Sequence, residues 1–86
     1  MPHLIARLQN VPIETIREIL ERDKAFHNQN NMFLEHLWQN ADNQNEVQFL
    51  FKIDTIEVTR TLINKLHSEA LAQDAHANLP EMTYLE

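Results

Sequence analysis

The chain of 86 residues contains no glycine and no cysteine. At ordinary usage, about 7%, glycine would occur roughly six times in such a length. Phosphate-cradling loops, dinucleotide fingerprints, the nucleophile elbow and the calcium-binding hand loop all place glycine where the backbone takes positive φ or closely approaches a ligand. None of them can occur here in standard form. Without cysteine there is no disulfide, thiol nucleophile, iron–sulfur cluster or thiolate zinc site. Positive charge is also scarce, with seven Lys and Arg against 13 Asp and Glu and a net charge of −6. No basic run supplies the clustered charge that phosphate recognition needs, so no nucleic-acid partner is expected. No apolar run approaches the roughly 18–20 residues that span a bilayer, and the start of the chain lacks a signal core. The expected protein meets no membrane and is cytoplasmic.

What is present reads as one domain over residues 1–86, with no linker, charge block or repeat. His3 to Gln9 alternates, with Leu4, Ala6 and Leu8 on one side, which makes a first strand. Pro12 suits the first turn of a helix, with Asn10 or Val11 as its cap. Ile13, Ile16, Ile19, Leu20 and Phe26 then form one apolar stripe, and Glu18 with Arg22 makes an i,i+4 pair. The run HNQNN at 27–31 is rich in asparagine, the residue that after glycine most readily closes a helix with positive φ.

Met32 to Gln39 reads as a second strand, although Leu34 and Leu37 also fit a helical spacing, and its inward face is not fixed by the pattern. NADNQN at 40–45 is a turn by composition. Val47, Phe49, Phe51 and Ile53 alternate clearly in a third strand, completing a hairpin. Asp54 and Glu57 stand as a capping box for a second helix from Thr55, flanked by Ile53 and Val58 in the staple positions. Its stripe is Ile56, Leu62, Ile63, Leu66, Ala70 and Leu71, and Pro80 bars its continuation. Met82 to Leu85 supplies a final edge strand.

The order β-α-β-β-α-β predicts an α+β, ferredoxin-like domain: a four-stranded antiparallel sheet with two helices on one face. The rows Leu4, Ala6, Leu8 and Val47, Phe49, Phe51, Ile53 should meet the helices. The other face would carry His3, Ile5, Arg7, Gln48, Leu50 and Lys52, which is solvated or meets a second copy.

The segment ADNQNEVQFLFKIDTIEVTRTLINKL, with LPEMTYLE after a short gap, resembles a group of small, largely uncharacterised proteins of the dimeric α/β-barrel superfamily. The matching stretches are the Asp-Asp-Pro-Asn-Glu-Val-like turn at Asp42 to Val47, the Phe-x-x-Asp-like junction at Phe51 to Asp54 and the Pro-Glu-x-x-x-Leu-Glu-like end at Pro80 to Glu86. The likeness covers the C-terminal half by motif and the N-terminal half by element order. Asn28, Asn30, Asn31, Ala77 and Asn78 stand where that group has glycines. The resemblance implies a homodimer with two sheets face to face. Its wider relatives include antibiotic-biosynthesis monooxygenases, muconolactone isomerases and haem enzymes, so a shared fold selects no chemistry.

The chemical candidates are few. Five histidines offer no HExxH-like pair. Glu35 and His36, adjacent in a strand, should face opposite ways, and His67 and Asp74 are about 10 Å apart by helical rise. No metal site and no cofactor is therefore expected. His36 and Trp38 share one strand face with Leu34 and would line a pocket or a dimer interface. Arg7 is a candidate inter-subunit ion-pair partner, and Tyr84 a candidate on the edge strand with its hydroxyl in water. The sequence therefore supports a homodimeric module that binds a small molecule or a partner. It equally leaves open a cofactor-independent monooxygenase or isomerase acting on an aromatic or enolisable substrate.

Overall fold

A computed structural model describes residues 1–86, and every element of the expected order is present. Strand β1 spans His3–Gln9, helix α1 Ile13–Arg22, helix α2 Lys24–Gln29, strand β2 Met32–Asn40, strand β3 Asn43–Ile53, helix α3 Ile56–Gln73 and strand β4 Glu81–Leu85. The sheet is antiparallel in the order β2-β3-β1-β4. This is the ferredoxin-like α+β fold, with the first crossover helix split in two.

The rows expected to face the helices do so. Leu4, Ala6, Val47, Phe51 and Ile53 are almost fully buried, joined by Leu8, Phe49 and Met32 from the sheet. Ile16 and Leu20 of α1 and Ile63 of α3 close the core from above. Burying such side chains is worth roughly 1.5–3 kcal/mol each relative to exposure. The α3 stripe runs Ile56, Thr59, Ile63, Leu66 and Ala70, steps of three and four; Thr59 is buried within it, whereas Leu71 is exposed.

Four local expectations are corrected. Asn10 and Val11 do not cap α1; Pro12 stands at the cap with φ −75°, and Asn10 instead takes φ 61° to turn the chain out of β1. The apolar stripe does not continue as one helix, because Asp23 leaves helical geometry at φ −96°, ψ 8°. Its carboxylate grips Arg22 at 3.0 Å, the partner that Arg22 takes in place of Glu18. The Asp54 capping box does not form, since Thr55 occupies the cap position of α3 and no side chain bonds there. Finally, β2 is irregular, with a register shift between Leu34 and His36.

Asparagine does the work of glycine in two distinct ways. Asn31 takes φ 58° between α2 and β2, as Asn10 does after β1. At the hairpin no residue has positive φ; there the Asn40 and Asn43 side chains accept from the backbone N–H groups of Asp42 and Asn45 at 2.8 and 3.0 Å. These are local side-chain turns of the kind that asparagine favours. No helix is long and apolar enough to cross a membrane.

Candidate functional site

The sheet face away from the helices is organised in transverse rows by strand register. One row is Trp38, Gln48, Arg7 and Glu81 across β2, β3, β1 and β4. The next is His36, Leu50, Ile5 and Thr83, and a third is Phe33, Lys52, His3 and Leu85. Directly opposed residues on neighbouring strands share a face. Arg7, His36 and Trp38 are thus brought to one surface.

The shift in β2 decides this arrangement. Glu35 has no partner on β3, so Leu34 opposes Phe51 on the helix side while His36 opposes Leu50 on the open side. An unpaired extra residue reverses the alternation after it. Leu34 therefore does not share a face with His36 and Trp38. Nor do Glu35 and His36 serve opposite faces, because the Glu35 carboxylate reaches His3 Nε2 at 2.9 Å on the open side. His36 stacks on Trp38 with ring centroids 4.9 Å apart and planes 17° from parallel. Trp38 remains 46% exposed.

Arg7 has carboxylate neighbours within its own chain. It approaches Glu81 at 3.4 Å and Glu46 at 4.0 Å within its own chain. Glu46, only 7% exposed, accepts hydrogen bonds from the amides of Asn40 and of Gln9, the latter at 2.9 Å. Those amides, ahead of the opposing effect of burial and a smaller help from Arg7, hold the Glu46 carboxyl below its ordinary value. This network joins β1, β2 and β3, and so has no local signature in the chain.

Tyr84 lies on the other face. It opposes Leu4 and packs against the core, with the Arg60 guanidinium of α3 4.7 Å above its ring. Its hydroxyl is buried without a hydrogen-bond partner, contrary to the expectation of a solvated edge residue. Burial pushes the phenol upward, with Arg60 partly opposing.

A cavity of about 420 Å³ opens between α1 and α2 above and β2 and β3 below. Leu20, Phe33, Leu34, Leu37 and Phe51 supply its apolar wall, and Arg17, Glu21, Lys24, His27 and Asn28 the remainder. The size falls within the range of about 300–1,000 Å³ common for small-molecule sites. The half-buried His27 meets Phe51 edge-on at 5.0 Å. Burial lowers the His27 imidazole below its usual value, partly offset by Asp23. His27 sits in the asparagine-rich run read as a turn, yet it stands eleven residues from Ile16 and seven from Leu20. That helical spacing marks it as belonging to the buried stripe.

No group of three or more His, Asp or Glu side chains is arranged to hold a metal ion. No family model matches the chain, and no curated protein matches its sequence. Solved structures do match in fold. An antibiotic-biosynthesis monooxygenase assignment belongs to one of them, from Deinococcus radiodurans, superposing with TM-score 0.62 at 13% identity over 100% of this chain and 91% of that one. An uncharacterised NIPSNAP domain protein from Burkholderia xenovorans gives 0.60 at 14% identity, over 100% and 93%. The protein SCO4226 from Streptomyces coelicolor A3(2) gives 0.58 at 13% identity, over 94% and 91%. The likeness is one of fold alone, the ferredoxin-like arrangement of a four-stranded antiparallel sheet with helices on one face.

Proposed function

We propose that the protein is a homodimeric α/β-barrel module that binds a small, largely apolar molecule between its helices and its sheet. The observation that carries this reading is the helix–sheet cavity, whose wall of Leu20, Phe33, Leu34, Leu37 and Phe51 opens to solvent at a polar rim. An apolar wall with a few polar groups beside it is the ordinary composition of a ligand site. The dimer is supported by the open sheet face, where Ile5 and Leu50 stand in one row between His36 and Thr83, beside an exposed Trp38. Aromatic residues are enriched in such interfaces. The cytoplasm is its expected place of action, which cell fractionation checks.

Sedimentation equilibrium tests the assembly: a mass twice 10.2 kDa is expected at micromolar concentration, and Trp38→Asp should return it to the monomer. A wild-type mass of one chain sinks the dimer. For the cavity, the neutral dye N-phenyl-1-naphthylamine should brighten on binding. Leu34→Trp, which fills the cavity from the sheet side, should abolish the signal. An unchanged signal in that variant places the dye elsewhere and removes the support.

His27 favours a second reading: cofactor-independent monooxygenation or isomerisation of an aromatic or enolisable substrate. Burial against the cavity wall lowers its imidazole below the ordinary value and so favours the neutral form, which is the form that accepts a proton from an activated C–H. The monooxygenase assignment of a fold neighbour adds to this reading. Deuterium at the α-carbon of a bound aryl ketone should then wash out faster with wild-type protein than with H27Q, with the ketone binding both equally. Equal wash-out from both proteins rejects the catalytic reading and leaves the binding one.

A further inference from the structure

The rim of the helix–sheet cavity has a charge pattern that its apolar wall does not explain. Arg17 of α1 and Lys24 of α2 both line it, and neither has a carboxylate within 4.0 Å. The only acidic side chain on the rim, Glu21, likewise forms no ion pair there. Asp23, next to Lys24 in sequence, is taken up by Arg22. The opening thus holds two cationic groups against one anionic group, on a chain whose net charge is −6.

Resting on the reading of this cavity as a small-molecule site, we infer that its ligands are amphipathic anions: aromatic or branched aliphatic carboxylic acids, with the carboxylate at the mouth between Arg17 and Lys24 and the apolar body against Leu20, Leu37 and Phe51. Three features fit this class. The guanidinium of Arg17 offers paired donors to a carboxylate, and charge-assisted hydrogen bonds are about twice as strong as neutral ones. Asn28, on the same rim, adds an amide donor. At this opening an amine would meet two like charges and a single Glu21, whereas an uncharged molecule would gain nothing from either cation, both of which are exposed to water. The wall offers the aromatic ring of Phe51, so a flat ring is well accommodated.

The test compares 2-naphthoate with 2-naphthamide, which share a ring system and differ in charge, by following backbone amide signals of the whole chain. Naphthoate is expected to bind about tenfold more tightly, the scale of one charge-assisted contact, with shifts concentrated at residues 17–28 and 33–37. The double variant R17Q/K24Q should lose the preference and keep naphthamide binding, while K65Q, which removes a cation on α3, should keep the preference. The single variants R17Q and K24Q should each lose part of it. Equal binding of both probes at the cavity overturns the anion assignment and leaves the binding site standing. Failure of both probes to shift cavity residues overturns the site and the assignment together. A preference that survives in R17Q/K24Q overturns the role of those two residues.

Discussion

Leu34 and His36 stand two residues apart in one strand yet face opposite sides of the sheet, because Glu35 between them has no partner on β3. The helix-side cavity gains Leu34 and the open face gains the His36–Trp38 stack from this single extra residue.

The bulge matters far more than the side chain that occupies it. Glu35→Ala removes a partly exposed contact with the His3 ring and should cost no more than about 1 kcal/mol. Deleting residue 35 restores strict alternation, so either Met32 and Leu34 or Leu37 must leave the helix side. Met32 is 2% exposed. Urea denaturation should show a near-normal midpoint for the alanine variant and a much lower one, or no cooperative transition, for the deletion.

The turn at Asn31 has φ 58°. A residue with a Cβ loses roughly 1–2 kcal/mol in that conformation, asparagine less, and glycine none. Asn31→Ala should therefore destabilise by about 1 kcal/mol, while Asn31→Gly should raise stability by a few tenths. Asn28 is helical within α2, and Asn28→Gly should lower stability. Opposite signs for the two glycine variants in thermal melts are the expected result; the same sign for both would be incompatible with the turn geometry.

Tyr84 buries a hydroxyl that nothing satisfies. Removing such a group while keeping the ring under Arg60 should help, so Tyr84→Phe is expected to stabilise by about 1 kcal/mol. A fall in the urea midpoint would show that the hydroxyl has a partner in solution.

Acid should weaken the fold partly through Glu46. Amide donors from Asn40 and Gln9 hold its folded carboxyl below the ordinary 4.5. As pH falls through that value, the unfolded chain takes up a proton that the folded chain still refuses, so stability present above 4.5 declines toward the lower folded value. Glu46→Gln should be less stable than wild type at neutral pH, with the gap narrowing under acid conditions. Stability curves that stay parallel down to pH 3 would rule out this linkage.

How much was legible in the chain follows from which interactions are local. Strict alternation fixed β1 and the inward row of β3, because a single misplaced residue would bury Arg7 or Lys52. The parity of β2 was not legible: a bulge adds one residue of ordinary type, and glutamate carries no sign of it. The break at Asp23 was equally hidden, since the apolar stripe reads through it, from Ile19 to Phe26 seven residues on, with helical spacing. Arg7, His36 and Trp38 come to one surface through that bulge, whereas Tyr84 lies on the helix side, because inward Met82 and Tyr84 leave Thr83 on the open side of β4. The Glu46 network and the rim of Arg17 and Lys24 depend on segments far apart in sequence, or on charges judged only by whether a partner is near.

The margins of the sheet carry a last consequence. Strand β2 forms one edge and is interrupted twice in nine residues, after Leu34 and after Gln39. The other edge, β4, has five residues and follows Pro80. A foreign strand seeking to extend the hydrogen-bonded ladder meets an uneven template on one side and a short one on the other. The molecule can therefore offer its broad face to a companion while resisting growth along its sides, which favours closed assemblies over fibres.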